Sequence, residues 1–183
     1  MSETVNDIRA EHDPLTALRQ VSRTVHERVD QAYSRFNLSD PTSYGAFLQA
    51  HAKVLPIVEQ WLATQHDLPA WSGRTDLLQR DLQTLGHSLP PALDWHPPTG
   101  AGGALGALYV LEGSRLGGKM LSAQVGAGLP REYLSAAHEK GGWPAFLQML
   151  RERLSTGDAT YRAAVMDGVT ATFDLFRKAA VTE

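Results

Sequence analysis

The stretch "LGALYVLEGSRLGGKML", residues 105–121, decides how the chain is read. It contains Gly113, then four residues, then Gly118 and Lys119, most of a phosphate-cradling G-x-x-x-x-G-K-[ST] loop. That loop needs a buried strand before it and a hydroxyl after the lysine to hold magnesium. Here an apolar run of helical character precedes the glycines, and Met120 follows the lysine. The stretch therefore reads as a helix, although each interior glycine costs about 1 kcal/mol relative to alanine. With Gly113 set at zero, Gly106 and Gly117 fall within about 40° of it at 100° per residue, and Tyr109 lies at about −40°. A glycine-lined face serves either close packing against another helix or close approach to a broad, flat ligand, and the stretch alone fits both.

Outward from this segment the helical period persists, with no convincing alternation of period two. Leu15, Leu18, Val25, Val29 and Ala32 mark a first helix of roughly 22 residues, running on to Phe36. Asp40 and Pro41 make an N-cap and first helical position for a second helix reaching Gln65, with Pro56 expected to kink it. A third helix follows Arg74 and closes at Gly86. A proline-rich loop from Ser88 leads to the glycine-bearing helix over 104–125. Short helices are expected near 130–139 and 143–155, and a last one from Asp158 to Ala180. The expectation is an all-α, single-domain helical bundle over 14–183, preceded by a loose segment over 1–13.

Composition narrows the chemistry. The chain has 183 residues, a net charge of -3 and no cysteine. That rules out disulfides, thiolate nucleophiles and cysteine-held metal clusters. The weak charge provides no general field for nucleic acid, and no apolar run is long enough to span a membrane. The N-terminus resembles no targeting peptide, so a cytoplasmic protein is expected. No His-Glu-x-x-His pair is present, and Glu-x-x-His units are too few for a two-metal carboxylate bundle.

The first helix carries a second constellation in "LRQVSRTVHERVD", residues 18–30. Within about 60° of His26 on the helical wheel stand Arg19, Arg23 and Asp30. Asp30, one turn on, can accept a hydrogen bond from one imidazole nitrogen and fix the ring for a metal at the other. Two readings stand: a boundary histidine among solvated arginines, or a metal ligand flanked by cations for carboxylates.

Together the two segments resemble the heme oxygenase family, especially its bacterial branch, over about Leu15 to Phe176. The first resembles the family's proximal helix and the second its distal helix. The resemblance implies that heme b, both substrate and cofactor, is sandwiched between them. It implies cleavage to biliverdin, carbon monoxide and ferrous iron, using dioxygen and electrons from a ferredoxin or flavin reductase. A bilin-binding phytochrome is a further implied partner, as acceptor of the product. By position, His26 corresponds to the iron ligand and Asp30 to its brace. Arg19, Arg23, Tyr109 and Arg151 correspond to propionate-facing groups, and Gly113 and Gly117 to glycines over the heme. Ser114 stands where animal-type members carry an aspartate that holds water near dioxygen. That departure keeps open a non-catalytic heme-binding sensor or carrier on the same fold. A helical protein on this scaffold for another ligand is a third reading.

Overall fold

The structure is a computed structural model that describes residues 13–182. Its elements are α1 (Pro14–Tyr33), α2 (Pro41–Ala52), α3 (Leu55–Ala63), α4 (Thr75–Thr84), α5 (Gly100–Ser122), α6 (Glu132–Ser135), α7 (Gly142–Thr156) and α8 (Ala159–Val181), with no strand among the described residues. The fold is all-α, as the periodicity predicts. Of the loose segment expected over 1–13, residues 1–12 lie outside the described residues. Asp13 is ordered: its side chain caps α1 by accepting the Leu15 N–H at 3.1 Å.

Local signals set several helix ends. Asp40 caps α2 through Ser43 N–H at 2.7 Å, with Pro41 in the first turn. Asp158 caps α8 through Tyr161 N–H at 2.7 Å. Gly86 closes the turn after α4 at φ 78, where the His87 N–H reaches back to Leu82 O. Several boundaries differ from expectation: the helix expected near 130–139 is one turn, Glu132–Ser135, and the glycine-bearing helix ends at Ser122 rather than 125. Pro56 does more than kink its helix: the chain breaks at Lys53–Val54 and restarts as α3 with the proline in its first turn. A proline at 56 leaves the Ala52 carbonyl without its helical donor and crowds the residue before it. α1 stops at Tyr33, so Phe36 packs from beyond the helix, against Phe47. α5 begins four residues early, at Gly100, and runs unbroken to Ser122, so the phosphate-loop pattern lies inside a continuous helix.

α5 is the central element. From Gly102 to Leu111 it is buried almost without interruption. It crosses α8 backbone to backbone: a Cβ at Gly106 would strike the Val165 carbonyl oxygen, and one at Gly168 would strike that of Gly103. The glycine face thus divides. Its N-terminal half, including Gly106, serves helix packing against α8. α1 also lies along α8, and α6 lies against α5. α6 is itself capped from α4, where buried Asp81 accepts the N–H groups of Glu132 at 3.1 Å and Tyr133 at 3.0 Å. With α1 and α5 both seated on α8, a gap remains between their C-terminal halves.

Candidate functional site

That gap is a cavity of about 520 Å³. α1 supplies His26, Val29, Asp30 and Tyr33; α5 supplies Val110, Ser114, Gly117 and Leu121; Phe173 and Phe176 of α8 form its floor. Phe47 and His51 of α2, Tyr133 of α6 and Arg74 line its remaining walls. The volume falls within the range of small-molecule and cofactor sites, and so does its mostly apolar lining with a few polar groups.

His26 stands at one wall with its side chain 54% exposed. Its Nδ1 lies 2.9 Å from Asp30 Oδ2, the i,i+4 contact that the helix geometry allows. Its ring packs edge-on against Phe173 at 5.6 Å between centroids. With Nδ1–H donated to the carboxylate, Nε2 carries the lone pair, which is how a metal-binding imidazole is oriented. Across the cavity, a Cβ added to Gly117 would meet nothing within 4 Å. No packing demand explains that glycine.

Ser114 answers one open question and raises another. Its hydroxyl donates to Leu111 O at 2.7 Å and accepts from Arg74 Nη2 at 2.6 Å, so both of these roles are taken. Arg74 is 3% exposed, also donates to Leu111 O at 3.0 Å, and stands over the Tyr133 ring at 5.2 Å. Burial lowers its pKa, while the fields of Tyr133, Glu59 and Glu112 oppose the shift. No ion pair with a carboxylate reaches it among the described residues. His51 is the cavity's second imidazole. Its Nδ1–H donates to Phe47 O at 3.0 Å, and burial pushes its pKa down to about 4, so the ring is neutral with Nε2 unprotonated. The Tyr33 hydroxyl is buried and has no partner among the described residues.

Not every expected residue comes to this cavity. Gly113 faces the other flank of α5, where an added Cβ would lie 3.5 Å from Trp143 Cη2, an ordinary contact. Tyr109 shares that flank, its ring 5.7 Å from Trp143, which in turn stacks on Phe146. Arg115 is turned away as well, bonded to Glu112, Ser72 and Ala136 beside His138. Arg151 pairs with Asp13 at 3.2 Å. Asp13 is about 20 Å of helix from His26 at 1.5 Å per residue. Arg19 and Arg23 are exposed and have no ion pair among the described residues.

Three polar groups of the site escaped the sequence reading. His51 was detectable, since it follows Phe47 by four residues and Tyr44 by seven on the buried face of α2. Tyr33 continues the stripe of Val29 on α1. Arg74 had no local signal, because its partners Leu111 and Ser114 lie 37 and 40 residues away.

No protein-family model matches the chain. The chain is 31% identical over 156 residues to a heme oxygenase of Xanthomonas campestris pv. campestris, covering 79% of this chain and 92% of that protein. The chain belongs to the heme oxygenase family. It is an enzyme of that type, and the reaction class of the family is heme degradation. The fold agrees: heme oxygenase from Neisseria meningitidis, solved with NO and CO bound, superposes with a TM-score of 0.74 at 20% identity, over 92% of this chain and 90% of that one. The cavity suits a heme. It offers an apolar slot, an imidazole with Nε2 free, and a helix wall without a side chain at Gly117. No helix among the described residues is long and apolar enough to cross a membrane.

Proposed function

We propose that this heme oxygenase cleaves heme to biliverdin, carbon monoxide and ferrous iron, consuming dioxygen and electrons from a ferredoxin or flavin reductase. The observation that carries the reading is the pairing of His26, oriented by Asp30, with the bare Gly117 wall across one apolar cavity. When bound, heme supplies the iron at which dioxygen is activated and the porphyrin edge that is oxidised.

The chain's own residues do the rest. His26 Nε2 would hold the heme iron, and Asp30 fixes the ring in the tautomer that leaves this nitrogen's lone pair free. As an imidazole, His26 would give the iron a nitrogen donor without the electron push of a thiolate. Gly117 leaves open space beside the α5 backbone, where the macrocycle would lie. Ser114 is held by Arg74 and takes no direct proton role. The remaining guanidinium donors of Arg74, the His51 Nε2 acceptor and the Tyr33 hydroxyl hold waters along the wall, and these deliver protons. Arg19 and Arg23, exposed on α1 beside the cavity-lining His26, would hold the heme propionates. Gly113, Tyr109 and Arg151 have other partners in this structure, and the reading does not depend on them.

Mixing the purified protein with hemin and then ascorbate under air tests the reading. Loss of the Soret band with growth of biliverdin absorption is expected. A reduced hemin complex that persists under air without bleaching would instead identify a carrier or sensor. Ser114 in place of an acid is the feature behind that second reading.

A further inference from the structure

We propose that Glu59, which does not line the cavity, is a positioning residue for the site: its carboxylate clamps the Arg74 backbone so that the guanidinium stands against Ser114. Glu59 lies on α3 and is 8% exposed. Its Oε1 accepts the Arg74 N–H at 2.7 Å, and its Oε2 accepts the Thr75 N–H at 3.0 Å and the Thr75 hydroxyl at 2.6 Å. Both oxygens are therefore spent on two consecutive residues at the start of α4. That helix has no side-chain cap of its own, and a carboxylate from another helix fills the place. Gly73 completes the arrangement, since a Cβ there would stand 2.7 Å from Glu59 Oε2.

The clamp is more than a cap because of what it carries. Among the described residues lining the cavity, Arg74 is the only lysine or arginine. A guanidinium buried without a paired carboxylate is costly, and it stays in place only if the backbone bearing it is fixed and acceptors meet it. Ser114 Oγ, Leu111 O and the Tyr133 ring are those acceptors, and each demands a definite approach. Glu59 supplies the fixed backbone without reaching the cavity itself.

The inference rests on the heme reading for one of its two readouts. The first uses the ligand-free protein: exchange of the Arg74 side-chain N–H protons with solvent, followed by NMR. Glu59→Gln keeps the side-chain size but turns an amide donor toward an N–H that needs an acceptor. It should speed this exchange about tenfold, the coupling typical within one hydrogen-bonded network. Thr75→Val removes one bond to the carboxylate without freeing Arg74, and should leave the exchange unchanged. The second readout is the acid–alkaline transition of the hemin complex. Glu59→Gln and Arg74→Met should shift its midpoint in the same direction, and the double variant no further than Arg74→Met alone. Should Glu59→Gln fail to fold, Gly73→Ala displaces the same carboxylate and should give the same two changes. Unchanged exchange, additive shifts, or an equal effect from Thr75→Val would overturn the proposal. If the parent protein takes up no hemin, the heme reading fails, and the exchange measurement still judges Glu59.

Discussion

Glycine 117 and glycine 106 show how one residue type does two jobs in a single helix. At Gly106 the α8 backbone occupies the space of a side chain, so Gly106→Ala should lower stability by about 3 kcal/mol or more through overpacking. At Gly117 that space is empty. Gly117→Ala should raise the melting temperature of the ligand-free protein, since alanine in a helix gains up to about 1 kcal/mol over glycine. The same variant should bind hemin more weakly, by titration, because its methyl group intrudes on the slot. A gain in stability with a loss of binding marks a glycine kept for function. A helical wheel could not separate these two residues: their angular positions nearly coincide, and only the placement of α8 tells them apart. The His26–Asp30 contact, by contrast, was legible because it lies within one turn of one helix.

Among the elements, α1 depends on a cap that also ties it to α7. Asp13 accepts the Leu15 N–H and pairs with Arg151, which holds its carboxyl below the usual range. Asp13→Ala should cost about 1–2 kcal/mol in chemical denaturation, most of it the lost cap. Arg151→Ala should cost less than about 1 kcal/mol, since the pair is partly exposed, and the two losses should not add. The Asp13–Pro14 signal has the same form as Asp40–Pro41, so this boundary was readable from local chemistry. The break at Pro56 was half readable: a proline marks the place but does not say whether a helix bends or restarts. The early start of α5 was hidden because Gly100, Gly102 and Gly103 are poor helix formers. Two of them become favourable only against Pro98 and α8.

For the whole molecule, the bundle stacks α1 and α5 on α8 and leaves a cavity where their glycine and histidine faces meet. The sequence pattern shows the faces, while the cavity's far wall, with Arg74, His51 and Tyr133, comes from elements brought together only by folding. His51 gives that wall a pH signature. Its pKa falls from 6.5 to about 4 on folding, mainly by burial, with the Arg74 charge acting the same way. The unfolded chain therefore binds the extra proton first. Stability should be unaffected above about pH 6.5 and fall between there and about pH 4, by up to about 3 kcal/mol, before most carboxylates titrate. Urea denaturation midpoints across that window should show the slope, and His51→Gln should flatten it.

Because two imidazoles line the cavity, the most direct test is a hemin titration of His26→Ala beside His51→Ala, read by the Soret band. The account predicts that His26→Ala loses the histidine-ligated spectrum and regains it on adding imidazole, while His51→Ala keeps it. A normal spectrum in His26→Ala, or its loss only in His51→Ala, would contradict the account.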